Sequence, residues 1–402
     1  PLDGLAFAGW VNLYEFGLGP LGAGSAEVAL MVDDLLGDQR LTAGIDGRGF
    51  SIGDVPFGDF SLWGAAGTTA ARVDSFRTAL GDTNIFLEFT ADYADSVSLV
   101  DVGAFRIDLE GTRWAIDDPV AFTVGSGHFS MPYMRLSSDQ GAMALSGLFE
   151  EDEVVAGTLQ LESFDLALLN PFTRTEHALA GRMTADVVVG GAPSAPQVNL
   201  TADLLDAPFA LADVHSMHVT AGFTGGTVDF QELDLRTNFG RVTGDGTVSN
   251  PGAGVKDFWA GADLDLDLHI QEGEWAFLDQ FALPALDRLE GIFDGSMRVA
   301  GSVTDPLIRG RVKSAPFHIH WLHLDELTSD VLVDSESMIL GNLAGHKSDL
   351  AMTGRIEIPL ELDLMSEPQS PLDGPFFMQL DIPEGSNLGP LNLATNAFIT
   401  TS

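Results

Sequence analysis

Apolar and acidic residues alternate almost without error in the segment from Ala262 to Ile270, which is ADLDLDLHI. A period of two places successive side chains on opposite faces of an extended strand. One predicted face carries Leu264, Leu266, Leu268 and Ile270, and the other carries Asp263, Asp265, Asp267 and His269. The pattern therefore predicts a β-strand with one apolar face and one solvated face.

The three aspartates at spacing two also resemble the start of a calcium-binding loop, with Glu274 at the twelfth position from Asp263. Such a loop needs glycine at its sixth position to make a sharp turn. That position is Leu268 here, and the residues between the aspartates are apolar. The strand interpretation is therefore favoured over the calcium loop.

The same alternation recurs along most of the chain, and Gly, Asp and Asn separate the alternating runs at turn-like intervals. Segments 105–111, 157–163 and 227–236 follow it. In the segment 356–364 the predicted apolar face consists of Ile356, Ile358, Leu360, Leu362 and Leu364. Pro359 falls on the polar face of that segment and predicts a bulge or an unpaired backbone position. These runs predict an all-β, antiparallel fold.

Three segments show helical spacing instead. Residues 69–80 place Val73, Phe76 and Leu80 at intervals that suit one helical face. Residues 274–289 do the same until Pro284, and residues 166–179 suggest a short helical turn. We expect these to be short helices between long strand arrays. Regular alternation of strands and helices is absent, which argues against a parallel α/β fold.

Internal similarity recurs at intervals of roughly 100 to 110 residues. Residues 181–196 align with residues 291–306 at an offset of 110, and an earlier copy aligns Leu136 with Leu235 at an offset of 99. We therefore predict one continuous β-repeat array over residues 1–402, with approximate repeat units 70–180, 181–290 and 291–402. Repeats of this kind stack on their neighbours rather than form separate globules.

Charge is the strongest signal in the composition. The chain has 59 acidic and 19 basic residues, for a formal net charge of −40. Such a charge repels nucleic acid and anionic bilayer surfaces, so no nucleic-acid partner is expected. There are no cysteines, which excludes disulfides and thiolate metal sites. No apolar run reaches the roughly 18 residues of a spanning helix. Because the sequence begins at Pro1, we expect an internal segment of a longer protein.

Three phrases in the sequence resemble the TamB family, the large translocation and assembly module subunit of Gram-negative envelopes. AsmA-like and bridge-like lipid-transfer proteins are more distant relatives. The first phrase is the glycine–strand–glycine–proline–strand run of residues 295–312. The others are residues 111–119 followed by 134–147, and residues 159–169. The resemblance covers about residues 40 to 365.

The resemblance implies an elongated sheet curled into a U-shaped, taco-like hydrophobic groove. It also implies a periplasmic conduit for phospholipid acyl chains between the inner and outer membranes, which supports the assembly of barrel proteins. The implied partner is an outer-membrane barrel of the Omp85 type (TamA-like), and the implied inner-membrane anchor lies outside this segment. No cofactor, metal or catalysis is expected. We predict that the groove lining includes Leu264, Leu266, Leu268, Ile270, Ile356, Ile358, Leu360, Leu362 and Leu364.

Part of this expectation follows from physics alone, because a long apolar face must be either covered or filled. A stack of about 25 to 30 strands would be roughly 120–140 Å long at ~4.8 Å per strand. The same alternation also builds a closed sandwich, a β-helix or a barrel with a dry core. The leading alternative is therefore a structural or adhesive surface β-solenoid. A carbohydrate-active β-helix enzyme is a weaker alternative, since nothing selects a catalytic pair among the 59 carboxylates.

Four short motifs suggest chemistry, and each has a simpler structural explanation. Residues 17–22 match the dinucleotide fingerprint GxGxxG, with residues 26–36 as a helix candidate, but Pro20 interrupts the motif. Ser51 lies in a GxSxG sequence that lacks the helix of a hydrolase elbow. His318, His320, His323 and Asp325 resemble a metal cluster, although His323 changes face on a regular strand. The acidic run 150–153 is expected to be a solvated turn.

Overall fold

The computed structural model describes residues 6–18, 21–33, 40–52, 55–80, 83–93, 97–109, 111–150, 154–172, 179–192, 195–209, 212–251, 258–277, 289–319, 322–334, 336–359 and 377–384. Nearly all of these residues lie in 27 strands, and every strand pairing in these ranges is antiparallel. The predicted all-β, antiparallel class is therefore confirmed. The curled groove remains a prediction.

The chain divides into two compact units, of which the first comprises Pro1–Pro196. Its strands are β1 (Phe7–Leu18), β2 (Leu21–Asp33), β3 (Arg40–Arg48), β4 (Ser51–Ile52), β5 (Val55–Pro56), β6 (Phe60–Ala66), β7 (Ala70–Leu80), β8 (Thr83–Tyr93), β9 (Val97–Leu109), β10 (Thr112–Ile116), β11 (Val120–Gly125), β12 (His128–Ser138), β13 (Gly141–Glu150), β14 (Val154–Asp165) and β15 (Arg182–Ala192). Most strands pair with their neighbours in sequence, as expected when glycine-rich turns join alternating runs.

The second unit comprises Gln197–Ser402. Its strands are β16 (Ala195–Phe209, whose first two residues precede the boundary), β17 (Ala212–Thr224), β18 (Thr227–Thr237), β19 (Gly240–Ser249), β20 (Asp263–Glu274), β21 (Leu289–Ser302), β22 (Asp305–Ile319), β23 (Leu322–Leu324), β24 (Glu326–Val333), β25 (Ser337–Lys347), β26 (Leu350–Pro359) and β27 (Phe377–Asp381). The boundary between the two compact units, at residues 196 and 197, does not coincide with the predicted repeat boundaries at residues 180 and 290. The repeat boundaries are placed by sequence similarity, whereas the unit boundary reflects how the chain packs.

The predicted helix over residues 69–80 is wrong, because these residues form β7. A β-bulge lies between Val73 and Phe76, and it brings side chains three residues apart onto one face. The possible helix at residues 26–36 is also wrong in its described part, which belongs to β2. The expected helical turn after Leu166 is confirmed as the 3₁₀ turn Leu166–Phe172. Residues 275–277 form a 3₁₀ turn, and the remainder of the predicted helix up to residue 288 lies outside the described residues.

A bulged hairpin occurs three times at the spacings of the sequence repeats. The hairpins are β12–β13, β18–β19 and β25–β26, whose first strands begin at His128, Thr227 and Ser337, which are 99 and 110 residues apart. In each first strand the pairing shifts over one bulge, between Met131 and Met134, Phe230 and Leu233, and Leu340 and Leu343. The sequence repeat is therefore also a repeat of strand bounds and bulge positions.

Two clusters of buried side chains lie in the second unit. The first, the closed cluster, contains Trp275, Phe293, Val312, Phe317, Leu324, Leu327, Val331, Val333, Met338, Leu340, Leu343, Leu350, Met352, Ile356, Ile358 and Ile382. The second, the small cluster, contains Val248, Phe258, Ala262, Leu264, Val299 and Val303. Most members of both clusters lie on the apolar faces of strands, so the side chains that the alternation predicts to be apolar are the ones that are buried there.

Candidate functional site

Strand β20 places its apolar side chains on one face, as the alternation predicts. Leu266 and Leu268 lie directly opposite Gly246 and Gly244 of β19, which have no side chains. Leu268 leans over Gly244 so closely that a Cβ atom at that glycine would meet the leucine Cδ2 atom at 2.7 Å. The glycines therefore leave the inner surface of these leucines without a bulky neighbour on the β19 side.

The apolar face extends across the second unit through the strand register. On one side of β20 it continues through Leu204, Met217, Leu235 and Val242 in β16 to β19. On the other side it continues through Val299 and Ile308 in β21 and β22, and then through Val333, Met338 and Ile358 in β24 to β26. One apolar face therefore runs from β16 to β26, and the predicted lining residues that are described belong to it.

Burial changes along this face. Leu264 is buried in the small cluster, whereas Leu266, Leu268 and Ile270 keep part of their surface accessible. Ile356 and Ile358 are only 0% and 3% exposed, inside the closed cluster. Leu360, Leu362 and Leu364 lie outside the described residues. Of the predicted lining, only Leu266, Leu268 and Ile270 therefore offer accessible apolar surface in the described structure.

The closed cluster contains a buried hydrogen-bond network that sequence analysis did not identify. Trp275 Nε1 donates to Ser314 Oγ at 2.9 Å, and Ser314 Oγ donates to the Ile292 carbonyl at 2.8 Å. The Trp275 ring packs on Phe293 and Phe317 with centroid distances of 4.4 and 5.7 Å. Because Trp275 and Ser314 are only 1% and 0% exposed, the protein itself covers this part of the face.

Strand β1 of the first unit exposes apolar side chains. Phe7, Val11 and Leu13 are 56%, 45% and 37% exposed. Their register partners on the same face of β2 include Val28 and Ala26, which are buried. The apolar face of this unit is therefore accessible at β1 and buried at the neighbouring strand β2.

The opposite face of the second unit is polar and solvated. Asp263, Asp265, Asp267 and His269 are all exposed, as their alternation with the leucines predicts. Arg298 forms a two-point contact with Asp265, with Nε–Oδ1 and Nη2–Oδ2 distances of 3.0 and 3.1 Å. Arg241 contacts Asp234 in the same way, and its hydrogen bonds hold the pKa of Asp234 below its usual range.

A cavity of about 1520 Å³ opens on the polar side of the second unit. Its lining includes Arg241, His269, Glu272, Asp294 and Lys313, and it also includes Ile270. Burying hydrocarbon against such charged groups would remove their hydration without replacing it. The size of this cavity therefore does not make it a site for an acyl chain, and the candidate site remains the apolar face.

The described residues of the chemical motifs His318, His323 and Ser51 lie on strands. The rings of His318 and His323 lie 4.4 Å apart, with Glu290 Oε2 at 3.7 Å from His318 Nδ1, and His320 lies outside the described residues. Among the residues described, no group of three or more potential metal ligands comes together. Ser51 lies in the two-residue strand β4, which is followed by β5 rather than a helix.

The two remaining motifs belong to the ends of strands. Residues 17–22 join β1 to β2, with Gly19 and Pro20 outside the described residues. Glu150 ends β13, and residues 151–153 also lie outside the described residues. A dinucleotide site would require a helix directly after residues 17–22, and in the described structure β2 follows them instead.

Comparisons with known proteins give no match. The chain matches no family model, no curated protein and no solved structure. No helix in the described part of the chain is long and apolar enough to cross a membrane.

Proposed function

We propose that this chain is a segment of a TamB-like lipid-transfer conduit in the periplasm and carries phospholipid acyl chains along its apolar face. The observation that supports the proposal is the continuous apolar face of the second unit, on which Leu266, Leu268 and Ile270 keep accessible surface. The polar face beyond the strands suits a solvated exterior. The role between two membranes and the barrel partner rest on the sequence resemblance.

The energetics suit reversible binding of hydrocarbon. Each buried methylene contributes ~0.8 kcal/mol, so an acyl tail of about 15 carbons gains on the order of 12 kcal/mol before entropy losses. The accessible leucines lie opposite glycines rather than opposite specific polar groups. A tail bound there has no preferred polar anchor on β19 or β20. It can therefore shift along the face at little cost.

The proposal is tested by site-specific photocrosslinking. One variant carries p-benzoylphenylalanine at Leu268, which faces inward, and a matched variant carries it at His269, which is the next residue and faces outward. After incubation with phosphatidylcholine vesicles, mass spectrometry should find lipid attached to the variant at position 268 and not at position 269. Circular dichroism checks that both variants keep the β-fold.

Equal labelling at the two positions in folded protein would reject the proposed site. A second test uses Leu268→Glu, which places a carboxylate on the accessible apolar surface. This variant should lose co-purifying phospholipid in native mass spectrometry and should retain its β-sheet spectrum. Lipid occupancy equal to that of the unmodified chain would contradict the proposal.

One observation favours a second candidate, a structural β-solenoid with a dry core. Leu324, Leu327, Leu343 and Ile356 are fully buried in the closed cluster. If the whole apolar face is sealed in this way in solution, Leu268→Glu should unfold the chain instead of only displacing lipid. The two candidates therefore differ in the outcome of one substitution.

A further inference from the structure

Two buried tryptophans differ in how their indole N–H groups are satisfied. Trp275 is 1% exposed and donates to Ser314 Oγ at 2.9 Å. Trp114 of β10 is 3% exposed and packs on Phe164 with a centroid distance of 5.3 Å. Its Nε1 atom is buried and has no hydrogen-bond partner among the described residues. Buried donors are rarely left in this state without a water or a ligand.

The surroundings of Trp114 on its own face are apolar. Ile116 shares that face and lies opposite Leu136, which in turn lies opposite Met143. Leu136 and Leu161 are both buried. A water molecule needs two or more polar partners to be stable in a protein interior. A guest that brings one acceptor on an apolar body fits these surroundings better than water does.

A row of cross-strand neighbours leads to this indole from β7. Thr78 lies opposite Ile85, Ile85 lies opposite Ile107, and Ile107 lies opposite Trp114. Thr78 is buried, and its hydroxyl donates to the Asp59 carbonyl at 3.2 Å. Ile85 and Ile107 keep part of their surface accessible. An apolar chain can therefore lie against the two isoleucines, in line with the unpaired donor at the end of the row. A guest that bonds to Trp114 Nε1 must displace the side chains that now bury it.

We propose that the first unit binds an acyl ester, whose neutral carbonyl oxygen accepts a hydrogen bond from Trp114 Nε1 while its hydrocarbon lies along Ile85 and Ile107. This inference rests on the proposed lipid function and narrows it to ester-linked lipids. A free fatty acid fits less well, because its carboxylate would be buried without a cation in a chain of net charge −40. An ester supplies a single neutral acceptor and no donor, which matches the single indole donor.

The test compares two phosphatidylcholines that differ only in the linkage of their chains, one a diester and the other a diether. The protein variants are Trp114→Phe, which keeps an aromatic ring and removes the donor, and the matched Trp275→Phe. In a Leu268→Glu background, which removes the second-unit site, the otherwise native chain and W275F should bind the diester about tenfold more tightly than the diether, because only the diester supplies carbonyl acceptors. W114F should bind both lipids equally.

Indole ¹H–¹⁵N spectra provide a direct readout, since the chain has six tryptophans and W114F identifies the relevant signal. The Trp114 indole proton should move downfield with the diester and remain in place with the diether. If the diester binds but this signal does not move, the inference fails while the proposed function stands. If neither lipid binds the native chain, both fail.

Lipid-free stability gives an independent check. Both substitutions leave a cavity of similar size, so both should lower the melting temperature. W114F should lower it less than W275F, because W114F also removes a buried donor that has no partner, whereas W275F leaves the buried Ser314 hydroxyl without its donor. A loss of stability in W114F equal to that in W275F would show that Trp114 already has a partner in the lipid-free protein and would overturn the inference.

Discussion

Ser314 accepts a 2.9 Å hydrogen bond from Trp275 Nε1 inside the closed cluster, and neither side chain is in contact with solvent. This pairing joins the residue after β20 to β22. It lets an indole occupy an otherwise apolar core without an unsatisfied donor. The consequence can be measured, because removing one partner leaves the other buried and unpaired.

Ser314→Ala should lower the free energy of unfolding by about 1 to 3 kcal/mol, since the Trp275 N–H then has no acceptor. Ser296→Ala is the matched control, because Ser296 is exposed on the neighbouring strand. The control should change stability by less than about 0.5 kcal/mol. Urea unfolding followed by circular dichroism measures both. Similar losses in the two variants would mean that the buried pair contributes no special stability.

Leu343 and Leu233 occupy equivalent positions after the bulge in two copies of the repeated hairpin. Leu343 is fully buried and Leu233 is only partly buried. Leu343→Ala should therefore cost about 3 to 4 kcal/mol and Leu233→Ala about 1 kcal/mol, because cavity cost scales with burial. Chemical denaturation provides the measurement. If Leu233→Ala costs as much as Leu343→Ala, the apolar face is sealed at β18 in solution as well.

Glu272 adopts a left-handed backbone conformation, with a φ of 53°, at the bulge of β20. This conformation costs a non-glycine residue roughly 1 to 2 kcal/mol. Glycine avoids that cost, but its larger loss of backbone entropy on folding offsets about half of the gain. Glu272→Gly should thus stabilise the chain by about 0.5 to 1 kcal/mol. Glu274→Gly makes the same charge change at a residue outside the left-handed region and should destabilise it. Thermal denaturation of the pair separates the backbone effect from the charge effect.

His218 makes folding stability depend on pH. A 2.7 Å hydrogen bond with Asp203 raises the pKa of His218 above its usual value, and nearby Glu232 and Asp234 act in the same direction. A raised pKa gives stability that is complete below about pH 6.5 and is lost as the pH rises through the folded-state pKa. The urea midpoint should therefore be higher at about pH 6 than at about pH 8.5.

Two substitutions test the source of this pH dependence. His218→Gln and Asp203→Asn should each reduce the difference between the two midpoints, and the double variant should reduce it no further. Additive effects of the two substitutions would show that His218 and Asp203 act separately.

The net charge of −40 should make lipid transfer from neutral vesicles faster than lipid transfer from anionic vesicles. Transfer from phosphatidylcholine vesicles should exceed transfer from phosphatidylglycerol vesicles at about 0.01 M salt, where the Debye length is about 30 Å. The difference should shrink at about 1 M salt, where that length falls to about 3 Å. A fluorescent-lipid transfer assay measures the rates. A preference for phosphatidylglycerol at low salt would indicate a local basic docking surface.

The sequence predicts the strands well because alternation expresses strand geometry directly. Its main error concerns β7, where Val73 and Phe76 are three residues apart, as on a helix. The bulge between them restores a common face, and the same spacing occurs at Leu340 and Leu343. A bulged strand and one helical turn thus share the same local apolar spacing. Only the partner strand distinguishes them.

The sequence predicts which side chains lie on the apolar face, but it does not predict which of them remain accessible to solvent. Leu268 and Ile356 belong to the same alternating pattern, yet the first keeps accessible surface and the second is completely covered. What covers Ile356 comes from distant residues such as Leu340 and Met378, and no local pattern encodes that contact. The unpaired indole of Trp114 is likewise invisible in sequence, because nothing nearby indicates which acceptors are missing.

The recurrence of one bulged hairpin has a consequence for how such a chain changes length. Because strand ends and bulges recur at fixed intervals, excising or duplicating the residues between two equivalent turns joins matching partners and keeps every side chain on its original face. Recombination between the copies can therefore add or remove whole groups of strands without redesigning the edges at the junction.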